Sequence, residues 1–408
     1  MRDVLFISYL FPPMGGGGVQ RTLSFVEGLP AHGWRPTVIC AGPDAPYWAK
    51  DPSLKARIPE DVRVLRVPEG PLGWSRTLAR RLLPGRIRRA FDDRLLIPDR
   101  AIPWLPTALA AASRQRLTRE FSAMYTTGAP WTDHLVGLLS APGTGLPWVA
   151  DFRDPWTLSA GVPIPEAVLP VHQWLERRVY ANADRIIANT LTQQAELAEA
   201  FPIVRGKSCC IPNGWREADF PAHLPPPDQE RMLLGYAGSL YEGYTARPLL
   251  ERLERLGERP PPYILRWVGK TKPFDGMGKS PVPAEHLGYL TQEEVLRRMA
   301  ECRAVFFFVP DTAHAEGWVP QKLYVYLRLG RPILAVGKEG EAMQILREAG
   351  GPGLCLHPDE PDERLLDWLH RLRAGALDGL RYDPEVVARY SRQQTTASLA
   401  RLLDEVAA

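Results

Sequence analysis

Four consecutive glycines, Gly15, Gly16, Gly17 and Gly18, stand between an apolar run and an apolar pattern of helical spacing. Glycines at such a junction let the backbone approach a ligand closely and turn its N–H groups toward it. A helix that follows adds the positive end of its dipole, so the pair suits a phosphate or another anion. Gln20 and Arg21 fall in the first turn, where both can add donors. The loop is not a dinucleotide fingerprint: G-x-G-x-x-G begun at Gly15 needs a glycine where Gln20 stands, and residues 9–14 lengthen the turn. No G-x-x-x-x-G-K-[ST] pattern is present either. The alternative reading of the glycines is a flexible loop with no ligand.

Other residues with chemical potential follow apolar runs. Asp151, Arg153 and Asp154 come at the carboxyl end of an expected strand, where α/β sheets build their sites. A carboxylate there would orient hydroxyls, and Arg153 would pair with it or with phosphate; a structural Arg–Asp network explains the same residues. His134, near a helix start after Pro130, would hydrogen-bond a sugar or serve as a satisfied helix-end histidine. Lys322 lies in the first turn of a helix after Pro320 and suits a diphosphate leaving group. The alternative is a solvated lysine. Glu316 and Gly317 precede it. Arg247, Lys270 and Lys272 are further cations after expected strands, and Lys270 directly follows a glycine.

The rest of the composition narrows the class. The net charge is only +3, which gives no global reason to expect nucleic acid. The cysteines, Cys40, Cys209, Cys210, Cys302 and Cys355, have no zinc-ligand spacing and read as buried thiols. No apolar run approaches the roughly 20 residues of a spanning helix, and the amino terminus reads as a strand rather than a leader. The expectation is a soluble, cytoplasmic protein. The 42 Arg against 8 Lys, with three Asn and 41 Pro, fit heat adaptation or a GC-rich genome and say nothing of chemistry. Residues 76–89 concentrate Arg76, Arg80, Arg81, Arg86, Arg88 and Arg89 without an acid, interleaved with leucines and Ile87. Such a stretch suits anionic lipid headgroups or a lipid-diphosphate acceptor. A solvated helix balanced by Asp92 and Asp93 is the plainer alternative.

These residues need a scaffold, and short apolar runs alternating with helical patterns supply one. Strands are expected over 3–8, 35–41, 62–67, 123–127, 148–151, 185–188 and 208–211, with a helix over 19–32 and others between. After a proline-rich break at 220–231, strands are expected over 233–237, 264–268, 304–309, 332–336 and 353–356. Helices are expected over 246–257, 291–301, 320–329, 341–349 and 360–374, and one long helical pattern runs over 384–406. The order predicts an α/β chain of two Rossmann-like halves facing each other across a cleft. The expected division is 1–218, a linker at 219–231, 232–382, and a helix within 383–408 packing back on the first domain.

At this point the motifs resemble a known family. FPPMGGGGVQR at 11–21 looks like the opening loop of retaining, family-4-like glycosyltransferases of the GT-B fold. TGAPWTDHLVGLL at 127–139, WVADFRDPW at 148–156, ADRIIAN at 183–189 and IPNGWREADF at 211–220 resemble the same group. So do GYAGSL at 235–240, HLGY at 286–289 and VPQKLYVYLRLGRPILA at 319–335. The resemblance spans nearly the whole chain and is weakest over 42–120. It implies a nucleoside-diphosphate sugar held mainly by the C-terminal domain, an acceptor against the N-terminal domain, retention of configuration, and no metal or other cofactor. On this basis His134, Asp151, Arg153 and Asp154 are the expected catalytic set. Gly16, Gly17, Gly18, Ser239, Lys270, Glu316, Gly317 and Lys322 are the expected donor-binding set. Two positions depart from the family: Val325 stands where a glutamate bonds the donor ribose, and Ser239 follows Gly238 where an arginine is common. Valine cannot accept those hydrogen bonds. The expected function is therefore sugar transfer in cell-surface polysaccharide or glycoconjugate assembly. A non-catalytic scaffold and a nucleotide-sugar epimerase are its alternatives.

Overall fold

The computed structural model describes the chain except residues 43–44, 47–49, 71–72, 74–93, 144, 160–163, 241–244 and 271–281. The arginine-rich stretch 76–89 and Lys272 thus lie outside the described residues. The chain divides into two units, Met1–Asn213 with Arg392–Ala408, and Gly214–Ser391.

The first unit is built on a seven-stranded sheet in the order β3-β2-β1-β4-β5-β6-β7. Its strands are β1 (Arg2–Ile7), β2 (Trp34–Ala41), β3 (Arg63–Val67), β4 (Ala123–Gly128), β5 (Trp148–Phe152), β6 (Arg185–Ala188) and β7 (Ser208–Cys210). Every pairing is parallel. Parallel strands covered on both faces read as unbroken apolar runs, and Val4, Leu5, Phe6 and Ile7 are all fully buried. Each such side chain contributes about 1.5–3 kcal/mol of burial. The helices are α1 (Gly17–Gly28), α2 (Leu105–Thr118), α3 (Thr132–Ser140), α4 (Leu169–Asn182) and α5 (Leu191–Ala200). β1 lies between β2 and β4, so the chain departs to both sides of it and its carboxyl end marks the switch point of the sheet.

The second unit repeats the plan with a six-stranded parallel sheet, β10-β9-β8-β11-β12-β13. Its strands are β8 (Leu233–Ala237), β9 (Ile264–Val268), β10 (Ala284–His286), β11 (Ala304–Phe308), β12 (Ile333–Val336) and β13 (Leu354–Leu356). Side chains alternate across a strand. Val305 and Phe307 therefore enter the core on one face of this sheet, and Phe306 and Phe308 the core on the other. Its helices are α6 (Arg247–Leu256), α7 (Gln292–Ala300), α8 (Gln321–Leu329), α9 (Glu341–Glu348), α10 (Asp362–Arg373) and α11 (Pro384–Arg389).

The structure differs from the sequence reading at four places. The first helix ends at Gly28, and a 3-10 turn over Leu29–His32 follows, with Pro30 unable to donate to a continuing helix. β10 lacks an apolar run and exists by pairing its backbone with β9. The proline-rich stretch 220–231 is tied into the second unit: Asp228 N–H donates to the Glu301 carbonyl at 2.8 Å and Arg331 to the Pro225 carbonyl at 3.1 Å. The tail is two helices, because the Tyr390 carbonyl accepts the Trp215 N–H at 3.0 Å instead of an N–H of its own helix. Beyond that break, α12 (Arg392–Val406) packs on α1 in the first unit, with the Trp34 indole donating to Asp404 at 2.9 Å.

Candidate functional site

In the first unit β5 carries Asp151, which is fully buried. Arg21 reaches it from α1 with two hydrogen bonds, Nε to Oδ2 at 2.7 Å and Nη2 to Oδ1 at 2.9 Å. Tyr125 and Thr127 of β4 donate to the same carboxylate. Arg21 also donates to the Ile211 and Pro212 carbonyls at 2.8 and 2.9 Å. Both oxygens of Asp151 are thus occupied, and the pair ties α1, β4, β5 and the end of the first unit together. Asp151 is the hub of a structural Arg–Asp network, the alternative that the sequence offered to a ligand for substrate hydroxyls, and its partner is Arg21. Gln20 is likewise engaged, accepting from Arg57 at 2.6 Å.

Arg153, two residues on, is kept differently. It is 8% exposed. Its guanidinium lies on the first turn of α1, where a Cβ on Gly18 would come within 2.5 Å of Cζ. Only glycine admits this approach. Gly16 ahead of it takes φ 100°, a backbone that L side chains rarely adopt. Arg153 Nη1 is buried and has no hydrogen-bond partner among the described residues. Its ion pair is a loose one, 3.7 Å from Nε to Asp154, whose carboxylate is mostly exposed. Gly17 is exposed at the helix tip. The glycine turn, the helix end and a guanidinium N–H without a partner among the described residues thus lie together, a combination that suits an anion.

His134, in the first turn of α3, is fully buried and stacks on Phe152 at 4.3 Å. Burial pushes its imidazole down to about 3, so the ring is neutral. The Thr126 hydroxyl accepts from the Trp148 indole at 2.9 Å and meets His134 Nδ1 at 2.8 Å. That hydroxyl has one proton to give; in the tautomer where it gives that proton to Nδ1, the ring proton sits on Nε2. Nε2 has no partner among the described residues, and it points where Gly128 withholds a side chain: a Cβ there would lie 2.7 Å away.

Two neighbours escaped the sequence reading. Trp131 and Asp133 are buried, and Trp131 Nε1 and Asp133 Oδ1 have no partner among the described residues. The other Asp133 oxygen accepts the Tyr9 N–H at 2.9 Å. Burial and the nearby Asp99 charge hold the Asp133 carboxyl well above the usual carboxylate range. The available signal was the acid inside W-T-D-H, but an acid in a helix first turn reads as a solvated, dipole-favoured residue. Trp131, Asp133 and His134, close to the carboxyl end of β4, and Arg153 after β5 thus leave unpaired polar atoms near the switch point of this sheet.

In the second unit the corresponding switch point is the carboxyl end of β8 and β11. Gly238 follows β8 with φ 140°. Lys322, in the first turn of α8, brings its ammonium 3.6 Å from the Tyr236 ring centroid and 2.8 Å from where a Gly238 Cβ would sit. Burial pushes that ammonium well below the ordinary lysine range. Ser239 is half-buried, and its carbonyl accepts the Tyr236 hydroxyl at 3.4 Å. Lys270 is exposed and lies 5.1 Å from the Tyr289 ring. Glu316 and Gly317 form a 3-10 turn, with Glu316 exposed. Arg247 is spent on an exposed pair with Glu251, one turn along its own helix, at 2.5 Å. Val325 is half-buried and packs against the apolar core. No group of three or more His, Cys, Asp or Glu side chains among the described residues is arranged to hold a metal ion. No helix among them is long and apolar enough to cross a membrane.

Comparison with known proteins gives a family match over the first unit and a fold for the chain. The family described as "Glycosyl transferase 4-like domain" matches residues 16–214. No curated protein matches the sequence. Sucrose-phosphate synthase from Thermosynechococcus elongatus is similar in structure, with TM-score 0.65 and 16% identity over 100% of this chain and 96% of that one. HepE of Anabaena, solved in complex with UDP-glucose, has TM-score 0.62 and 16% identity over 99% of this chain and 100% of that one. A glycosyltransferase from Rickettsia africae has TM-score 0.62 and 12% identity over 99% and 98%. At these identities the structural likeness establishes the shared fold.

Proposed function

We propose that the chain is a glycosyltransferase of the family-4-like group, which moves a sugar from a nucleoside-diphosphate sugar to a hydroxyl-bearing acceptor with retention of configuration. The acceptor class is a glycan, a glycolipid or another glycoconjugate precursor of the cell surface. The observation that carries this reading is Arg153: a buried guanidinium with an open N–H, laid on the glycine turn at a helix amino terminus. Such a cradle suits a phosphate of the substrate. His134 Nε2–H and the Trp131 indole suit sugar oxygens beside it, and Asp133 takes one sugar hydroxyl. Asp154, exposed next to Arg153, is the carboxylate left for acceptor hydroxyls.

In the second unit Lys322 holds the donor's diphosphate, with Gly238, Ser239 and Gly317 giving backbone access and Lys270 and Glu316 lying further out. The bond from the anomeric carbon to the phosphate oxygen breaks as the acceptor oxygen bonds to the same face. The acceptor proton passes to the departing phosphate. Stabilising charge on that phosphate is where the rate is gained. HepE was solved with UDP-glucose, which makes UDP-sugars the first donors to test. The chain works in the cytoplasm, and residues 76–89 give it a peripheral hold on anionic membrane. Failure to bind anionic liposomes at low salt would remove that last element.

Val325 favours a second reading, a scaffold that has kept the fold and lost donor binding. Assays for release of nucleoside diphosphate from a panel of nucleotide sugars, with and without acceptor, decide between them. Acceptor-dependent release supports transfer. Turnover of the sugar without acceptor or release identifies an epimerase, and no turnover leaves the scaffold.

A further inference from the structure

Helix α4 carries two buried residues four apart, His172 and Glu176, on one face. His172 Nδ1 accepts from the Trp156 indole at 3.0 Å. Glu176 accepts from the Thr157 N–H at 3.4 Å, from the Thr157 hydroxyl, and from the Tyr180 hydroxyl at 2.8 Å. One helix face thus grips two adjacent residues of the segment that follows β5, and that segment begins with Arg153. Trp156 is also stacked on Trp131, with centroids 5.6 Å apart and planes 6° from parallel. The bonds Glu176 accepts come from neutral groups, and it is fully buried. A carboxyl in that setting is costly to keep, whereas an apolar residue would fill the space without the cost. What the carboxyl adds is the simultaneous hold on the Thr157 backbone and hydroxyl.

We propose that Glu176 is a positioning residue: from α4 it fixes the 153–157 segment so that Arg153 stays on the glycine turn with its open N–H toward the ligand. This rests on the reading of Arg153 as a phosphate ligand. Nothing in the family match bears on this residue's role, and Glu176 touches no substrate itself.

The test uses the full chain and UDP as probe. Glu176→Leu keeps bulk and removes all three bonds; Glu176→Gln keeps an acceptor for Thr157 and Tyr180 and a donor for the Thr157 hydroxyl. Glu176→Leu should weaken UDP binding at least about tenfold, and Glu176→Gln should restore it to within about threefold. Arg153→Met should lose a similar amount, and adding Glu176→Leu to it should lose no more, since the two act through one contact. Additive losses in the double variant, or a lowered Tm with unchanged affinity, would overturn the proposal. Hydrogen exchange reads the clamp without a ligand. The peptide over 152–158 should exchange at least about tenfold faster in Glu176→Leu, with α1 unchanged; unchanged exchange overturns the clamp. If Glu176→Leu does not fold, Thr157→Val removes one of the bonds from the loop side and should shift both readouts in the same direction. A wild-type protein that binds and turns over no nucleotide sugar would sink the functional reading, while the exchange result would still decide the clamp.

Discussion

Each unit places a cation near the carboxyl end of its central strands, beside a glycine, but the two cations are held in opposite ways. Arg153 rests on Gly18, and the acid two residues before it, Asp151, is already consumed by Arg21. Lys322 rests on the face of Tyr236, and burial alone pushes its ammonium down. A guanidinium stays charged at any working pH and presents a fixed fork; a buried ammonium gives up its proton readily and regains it when an anion arrives. The first unit therefore holds a cation in a form that stays charged. The second holds one whose charged form desolvation disfavours. The lesson is that an acid beside a cation in sequence does not identify its partner in space: Asp151 and Arg153 are neighbours along the chain, yet one is bound into the scaffold and the other keeps a guanidinium N–H without a partner among the described residues.

The comparison can be broken most severely at the scaffold. Arg21→Met leaves Asp151 buried without its counter-ion and should cost about 3–5 kcal/mol of stability, read from denaturant midpoints. A cost below about 1 kcal/mol would show that the network is not what holds the first unit together.

The next effect concerns Glu176. Burial raises its carboxyl to about 7, while in the unfolded chain it titrates near the ordinary glutamate value of 4.5. The native state thus keeps a proton that the unfolded state releases, so stability falls as pH rises from about 4.5 through about 7. The loss amounts to about 3 kcal/mol across that window. Unfolding free energies measured from pH 4.5 to 8 should show this decline, and Glu176→Gln should flatten it. An identical pH profile in both proteins would contradict it.

The second unit's cation is tested by Lys322→Ala. Turnover should fall at least about tenfold, near 1.4 kcal/mol, with stability little changed. Unchanged turnover would remove Lys322 from the site. The smallest expected effect sharpens the contrast directly. Diphosphate binding should draw a proton onto Lys322, so calorimetry in buffers of different ionisation enthalpy should show net proton uptake and an affinity that weakens as pH rises. Arg153→Met should leave that uptake intact; Lys322→Arg should abolish it.

Most of the fold was legible because buried parallel strands write themselves as apolar runs: strands at 185–188, 233–237 and 264–268 fall where the sequence puts them. What escaped was held by contacts between distant residues. β10 is a pairing with β9 rather than a local preference, and the break at Tyr390 exists because Trp215 takes its carbonyl. Of the candidate site, the glycine turn, His134, Arg153 and Lys322 were singled out by residue type and by their place after strands. The capture of Asp151 by Arg21, 130 residues away, was not. Nor were Trp131 and Asp133, whose burial no local pattern announces. The clamp by Glu176 hides for the same reason, since a glutamate at a helical position reads as solvent-facing.

The most direct test is a thermal-shift titration of the full chain against UDP, GDP, dTDP, ADP and CDP and their sugars, repeated with Arg153→Met and Lys322→Ala. A ligand that binds only the folded state raises Tm according to its affinity. The account predicts a clear rise with one nucleotide family, reduced by either substitution. No rise with any nucleotide at millimolar concentration, or a rise indifferent to both substitutions, would contradict it and leave Val325 as the mark of a lost donor site.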